Sequence, residues 1–203
     1  MMANIVVEFI LNGGKVMYPI LACGLVAVAV VGERTFWWLR EGSRRDPKKL
    51  EEILAALENQ DVPAATKIAE GSLDPVIRMI HNGLLHSHTS MQGALELGAG
   101  IELERAGRFL TVMDTLVTLA PLLGLLGTVT GLMGAFLSVG SAELAVTKVT
   151  GGIGQALIAT ACGLGIAIFS VVPFNYFSAR VARLQFELEA AATNVEIMVQ
   201  RPK

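Results

Sequence analysis

Three long apolar stretches dominate the pattern of hydrophobic and polar positions along the chain. The first carries no charge over residues 16–32, and the other two carry none over 115–142 and 149–179. Each stretch exceeds or approaches the roughly 20 apolar residues that a helix needs to cross the hydrocarbon core of a bilayer. The pattern predicts transmembrane helices at 16–39, 112–140 and 150–178.

The remaining segments are also predicted to be helical. Asp46 and Asp74 each precede a proline, which places an N-cap acceptor ahead of a residue suited to the first helical position. Ser90 is expected to cap a long helix that continues through Leu110 into the second span. No run alternates as a strand does. The fold class is therefore an all-α integral membrane protein, with further parts at 1–15, 40–111, 141–149 and 179–203.

The distribution of Lys and Arg predicts the orientation. Basic residues cluster at both ends of 40–111 and at the start of 179–203, whereas the opposite side has only Lys15 and Lys148. Under the positive-inside rule the N-terminal segment and the 141–149 loop are periplasmic. The 40–111 domain and the C-terminal helix are then cytoplasmic, as extensions of the membrane helices. No A-x-A cleavage site follows the first span, which favours a retained anchor over a signal peptide.

Composition narrows the function further. Of 203 residues, 53% are hydrophobic and 17% charged, and the net charge of -2 gives no basic surface for nucleic acid. Cys23 and Cys162 lie in apolar runs without neighbouring ligands, and the three histidines match no zinc spacing. The chain contains no recognisable nucleophile–base pair or phosphate loop. These patterns predict no enzyme activity, no metal site and no cofactor.

Small residues form a stripe on each of the last two predicted spans, at the steps of three and four that follow one helix face. On the second span the stripe is Gly124, Thr128, Gly131, Ala135 and Ser138. On the third span it is Ala156, Thr160, Gly163, Ala167 and Ser170. Such stripes allow close helix packing in lipid, with hydroxyls bonded to their own helix. Alternatively, they face a narrow cavity or partner helix, where Thr128 and Thr160 order water or coordinate a cation.

The two charge-free intervals contain no Asp, Glu, His, Lys or Arg. Ion pumps and proton relays normally need an ionisable residue at membrane depth. Any such role therefore predicts a second polypeptide that supplies the acid. Asp114 lies at the inner mouth of the second span, where it either draws cations toward a pore or is simply solvated at the interface.

Two glycine-rich runs resemble a known family. Residues 120–133, APLLGLLGTVTGLM, resemble the second transmembrane helix of the ExbB/TolQ/MotA proton-channel family, and residues 154–164 resemble its third. The pair Glu33-Arg34 at the inner end of the first span also fits. Three spans and a large first cytoplasmic domain are similar to the ExbB/TolQ branch rather than to four-span MotA.

The resemblance implies a homopentamer in the bacterial inner membrane, surrounding a dimer of single-span ExbD-like or TolR-like subunits. The partner helix would supply the membrane aspartate, and the family's pore threonines correspond to Thr128 and Thr160. Proton flow would drive rotation between the two subunit types. The motion would pass through a TonB-like or TolA-like periplasm-spanning protein to energise outer-membrane transport or envelope maintenance.

One position departs from the family pattern. Gln155 stands where ExbB and TolQ commonly have a glutamate, and an amide cannot titrate. Gln155 is retained with Thr128, Thr160 and Asp114 as an ion-pathway residue. The departure leaves a sodium-driven or motility-linked member of the family open as an alternative. A non-conducting membrane scaffold is the alternative from another class.

Overall fold

A computed structural model describes residues 14–137 and 142–200, and these residues form helices without any strand. Their order is α1 (Met17–Gly42), α2 (Pro47–Glu58), α3 (Val62–Ala69), α4 (Pro75–Leu85), α5 (Ser87–Gly107), α6 (Leu110–Leu137) and α7 (Ala142–Gln200). Three helical stretches are long and apolar enough to cross a membrane. They are Met17–Gly42, Ser90–Leu137, which includes most of α5 and all of α6, and Val149–Val199. The all-α fold with three candidate spans is thereby confirmed.

Capping aspartates begin the short helices, as the Asp-Pro pairs predict. The Asp46 carboxylate accepts a hydrogen bond of 3.1 Å from the main-chain N–H of Lys49. The Asp74 carboxylate accepts one of 2.9 Å from Val76. Each bond satisfies one of the donors that the first turn of a helix leaves unpaired. Asp61 caps α3 in the same way, a third instance that the sequence analysis missed.

The predicted continuous helix from Ser90 into the second span is wrong, because the chain breaks between α5 and α6. Ser90 itself is confirmed as a cap, since its Oγ accepts from the N–H of Gly93 at 3.3 Å. The break falls at Arg108 and Phe109, where Phe109 has a φ of 64°. A bulky residue in this left-handed region is strained and is held there by its surroundings. Sequence propensity carries no signal for such a break.

The helix that contains the third candidate span begins earlier than the predicted span at 150–178, although the apolar stretch itself begins at Val149. α7 begins at Ala142, so most of the predicted 141–149 loop is helical. Ala, Glu and Leu at its start are strong helix formers, and the charges of Glu143 and Lys148 do not end a helix. The tail continues as helix to Gln200, which agrees with the predicted C-terminal helix at 179–203 over its described residues.

The chain divides into two compact units. We call residues 14–33, 109–137 and 142–176 the membrane unit, and residues 34–108 and 177–200 the head unit; α1 and α7 contribute to both. The head unit has a continuous apolar core drawn from α2, α4, α5 and α7. Its fully buried side chains include Ile53, Leu57, Ile77, Met79, Ile80, Leu95, Leu188 and Val195.

Buried charges fix the helices of the head unit to one another. Arg78 of α4 bonds the carboxylate of Glu102 on α5, with Nε 3.1 Å from Oε1, and lies 3.5 Å from Glu41 of α1. Both carboxylates are almost inaccessible, at 6% and 5% exposure. Burial opposes the charge of Arg78, yet the hydrogen bond and charge of Glu102 raise the pKa of its guanidinium above the ordinary value. Paired in this way, the charges specify one register for the three helices.

Arg34 of α1 caps the end of α5 from the side. Its guanidinium is fully buried and donates to the carbonyl of Ala106 at 3.2 Å and to that of Arg105 at 3.4 Å. The same guanidinium lies 4.4 Å from the ring centroid of Trp37. The last carbonyls of a helix lack internal partners and carry its partial negative charge, so a buried cation stabilises that end. α5 therefore ends where Arg34 binds it.

We expect Arg34→Met to destabilise the head unit by about 3 kcal/mol, because the carbonyls of Arg105 and Ala106 lose a charged donor while buried. Arg40→Met removes an exposed charge from the same helix and is the matched control. Thermal unfolding in detergent measures the loss. Hydrogen exchange of the α5 C-terminal peptide locates it, and equal protection in the two variants would contradict the capping role.

Candidate functional site

The two small-residue stripes face each other within one chain, as the contact between α6 and α7. A methyl group added at Gly163 would overlap the carbonyl oxygen of Ala120 and would lie 3.1 Å from the Cα of Gly124. One added at Gly124 would lie 3.0 Å from the Cα of Thr160. The two main chains therefore touch, and only glycine leaves enough room at both positions. Close approach of this kind drives helix association in lipid.

The same contact continues along both helices. A methyl group at Gly131 would lie 3.0 Å from the Cβ of Ala156, and one at Gly152 would lie 2.7 Å from the Cβ of Ala135. The structure thus brings together the predicted residues Gly124, Gly131 and Ala135 of α6 with Ala156 and Gly163 of α7.

Two further members of this interface were missed in the sequence. Ala159 lies 2.5 Å from the position of a methyl group at Gly127, and Gly152 meets Ala135. Steps of three and four residues select a single row of side chains along each helix. Two closely packed helices also contact each other through the neighbouring row. The signal that could have found them is the high density of small residues beside the stripe.

The last two residues of the predicted stripe on α7, Ala167 and Ser170, are both buried. The Ser170 hydroxyl donates to the carbonyl of Ile166 at 2.8 Å, on its own helix. Ser138 lies outside the described residues. α1 packs beside this contact, where Met17 and Ile20 of α1 are buried together with Ala159 of α7.

The two predicted threonines differ in what their hydroxyls bind. Thr160 donates across the helix interface to the carbonyl of Gly124, at 2.8 Å. Thr128 donates to the carbonyl of Leu125 on its own helix, at 2.6 Å. Both side chains are half-buried. Thr128 lies one helical turn beyond Gly124, the residue whose carbonyl Thr160 bonds. The Thr128 hydroxyl bonds its own helix and the Thr160 hydroxyl bonds the neighbouring helix, while ordering of water or a cation by either one stays a prediction.

These bonds determine what each hydroxyl can offer to a third group. A hydroxyl has one hydrogen and two acceptor lone pairs. Since each hydrogen already bonds a main-chain carbonyl, Thr128 and Thr160 have only lone pairs left. Such oxygens suit a water hydrogen, a protonated carboxyl group or a cation, and they are mismatched to a carboxylate.

Gln155 does not lie with the threonines. At about 100° per residue its direction on α7 is about 140° from that of Thr160. Its half-buried amide instead lies beside the turn that precedes α1, where a methyl group at Gly14 would be 2.8 Å from Nε2. Gly14 has a φ of 72°, so glycine suits both its conformation and this contact.

Asp114 is also separate from the threonine pair. Its side chain is exposed near the start of α6. Fourteen residues separate it from Thr128, or about 21 Å along the helix axis. Of the four predicted ion-pathway residues, the structure places Thr128 and Thr160 at one helix contact and Gln155 and Asp114 elsewhere.

Fold and site together define a three-span helical membrane protein whose second and third spans form a tight, threonine-bearing pair. The sequence matches the MotA/TolQ/ExbB proton channel family over residues 71–190. The ExbB-like 3 biopolymer transport protein of Synechocystis sp. is 32% identical over 195 residues, covering 93% of this chain and 92% of that protein. ExbB-like 1 of the same organism is 33% identical, covering 93% and 76%.

ExbB of Xanthomonas campestris pv. campestris is also similar, at 32% identity over 145 residues that cover 66% of this chain and 56% of that protein. The chain belongs to the MotA/TolQ/ExbB proton channel family. It is accordingly a membrane protein of a transport family. The glycine-rich contact and the two threonines fall inside the matched region, as does about half of the head unit.

We expect Gly163→Ala to weaken the α6–α7 contact by about 1–3 kcal/mol, because the added methyl group overlaps the Ala120 carbonyl and the backbones must separate. Gly165→Ala adds the same methyl group on α7 where nothing lies within 4 Å. This control should be neutral or slightly stabilising, since alanine favours helix over glycine. Thermal unfolding in detergent compares the two. Equal melting temperatures would contradict the close contact.

Proposed function

We propose that this chain is the pore-forming subunit of a motor in the bacterial inner membrane, driven by the proton-motive force. The observation that carries the proposal is the α6–α7 contact, which holds two half-buried hydroxyls as pure acceptors in stretches that lack Asp, Glu, His, Lys and Arg. Membership of a proton channel family supports it. The N-terminus is periplasmic and the C-terminus cytoplasmic, as the Lys and Arg distribution indicates.

The proton carrier comes from a second polypeptide. The intervals 115–142 and 149–179 contain no titratable carboxyl, imidazole or amine. Hydroxyls and amides cannot hold or release a proton at neutral pH. The proposed partner is an ExbD-like or TolR-like dimer of single-span subunits, each with one acid in its membrane helix, surrounded by a ring of five copies of this chain.

The acceptor-only hydroxyls link docking of the partner to its protonation, and the proton-motive force gives the cycle its direction. A partner carboxylate takes up a proton from the periplasmic side and becomes a neutral acid, which can donate its O–H to Thr128 or Thr160. When the proton leaves toward the cytoplasm, the carboxylate finds no donor there and moves away. Because five equivalent pairs surround the partner, repeated docking and release become rotation.

Gln155 takes part without titrating. Its amide lies beside the turn before α1 and can order a water molecule, but it cannot exchange a proton. In this pathway the partner's acid is therefore the proton-binding group at membrane depth. The names of the Synechocystis relatives point to biopolymer transport as the process that the motor energises, through a TonB-like or TolA-like protein.

One observation favours the alternative of a non-conducting scaffold. The stripes pack on each other within the chain, which accounts for their small residues without a pore. A scaffold would need the glycines, and the Thr160 hydroxyl also bonds across the contact, whereas the Thr128 hydroxyl bonds only its own helix. Thr128→Val, which leaves the contact between the helices intact, therefore separates the two functions.

We expect Thr160→Val and Thr128→Val to lower proton flux at least about tenfold, the equivalent of losing one hydrogen bond of roughly 1.4 kcal/mol to the transferred acid. Thr160→Ser keeps the hydroxyl and should retain most of the flux. Thr130→Val removes a hydroxyl that is exposed and bonded within α6, so it should conduct normally. The measurement is pH-dye fluorescence in proteoliposomes containing the chain with its co-expressed single-span partner.

Native mass spectrometry of each variant must show the same assembly, so that loss of flux is not loss of the ring. Normal flux in both valine variants would favour the scaffold. Flux that follows a sodium gradient instead of a proton gradient would identify the coupling ion as sodium.

A further inference from the structure

The start of α6 presents a polar face that the threonine pair does not explain. Thr111, Asp114, Thr115 and Thr118 are spaced as one helix face, and all four side chains are exposed. Further along the same side the exposed residues are apolar, with Leu122 at 61% and Leu125 at 57% exposure. The face is thus polar over its first turns and apolar beyond them.

The hydroxyls on this face present lone pairs outward. Thr115 donates to the carbonyl of Thr111 at 2.8 Å, and Thr118 donates to that of Thr115 at 3.0 Å. Their hydrogens are therefore occupied, and Asp114 adds a full negative charge beside them. A surface composed only of acceptors attracts water and cations, and it is costly to expose to acyl chains.

Asp114 lies on the side of α6 that carries Thr128. Fourteen residues leave the two directions within about 40° of each other around the helix. Asp114 is the member of the polar face nearest to the direction of Thr128, and Thr118 lies about 80° from that direction, one turn closer to Thr128 along the axis.

We propose that this face forms the cytoplasmic mouth of the ion pathway and that Asp114 concentrates cations there. The inference rests on the proposed function, because it needs α6 to line a pathway. Each copy of the chain contributes one carboxylate, so a ring of copies surrounds the mouth with negative charge. Charge of one sign in a confined space raises the local cation concentration and makes transport sensitive to ionic strength.

Cysteine accessibility tests the water-filled mouth. In a chain with Cys23→Ser and Cys162→Ser, Thr115→Cys and Thr118→Cys are treated in inverted membrane vesicles with a charged, membrane-impermeant methanethiosulfonate. Leu122→Cys is the matched control, because Leu122 lies further along the same side of α6, is 61% exposed and begins the apolar part of the face. We expect the two former positions to react at least tenfold faster. Equal, slow reaction at all three positions would overturn the proposal.

Directional flux tests Asp114 itself, in proteoliposomes containing the chain and its co-expressed single-span partner. With Asp114→Asn, we expect proton flux driven from the cytoplasmic face to fall several-fold and to lose its dependence on salt. Flux driven from the other face should change little, and Glu104→Gln, an exposed acid of the head unit, should behave as the unmodified chain.

Unchanged flux in Asp114→Asn, or an equal loss in both directions with unaltered salt dependence, would overturn the role of Asp114. Thr160→Val measured in the same preparation separates this failure from failure of the proposed function. If Thr160→Val blocks flux while Asp114→Asn does not affect it, only the inference about the mouth is lost. If neither variant changes flux, both are lost.

Discussion

The contact between the main chains of α6 and α7 is the constraint on which the candidate site depends. Gly163 lies against the Ala120 carbonyl, and Gly124 lies against Thr160. Lipid gives the two apolar helices no hydrophobic reason to associate, so the short distance between their backbones supplies the attraction. That distance also brings the Thr160 hydroxyl within 2.8 Å of the Gly124 carbonyl. A single added carbon in this contact would change both the packing and the chemistry.

Charge is distributed in the opposite way in the two units. The membrane unit has no Asp, Glu, His, Lys or Arg over 16–32, 115–137 and 149–176, and it relies on small residues for its contacts. The head unit buries Arg34, Glu41 and Glu102 and gives each of them partners on other helices. Buried charges tolerate few alternative arrangements, because a shift of one turn would leave them unpaired. Each unit is therefore held by the interaction that suits its surroundings.

The sequence predicted those features whose cause is local. Length and the absence of charge are sufficient to locate the spans, and an aspartate before a proline is sufficient to begin α2 and α4. Features set by a distant neighbour were not predictable. The break at Phe109 needs a strained conformation that only packing maintains. The acceptor of Thr160 depends on the distance to α6, and the binding of Arg34 to the last carbonyls of α5 depends on where α5 ends.

The hydrogen-bond state of the threonines limits what this chain can do alone. With their hydrogens bonded to carbonyls, Thr128 and Thr160 discriminate between a carboxyl group and a carboxylate, yet they have no proton to exchange. A chain of this kind can recognise the protonation state of an acid but cannot create it. The proposed division of labour follows from this: the partner carries the proton, and the glycine-packed helices determine where a protonated acid can stay. In the proposed motor, conversion of proton flow into movement depends on equivalent sites in several copies of the chain that all bind the neutral form of a partner acid.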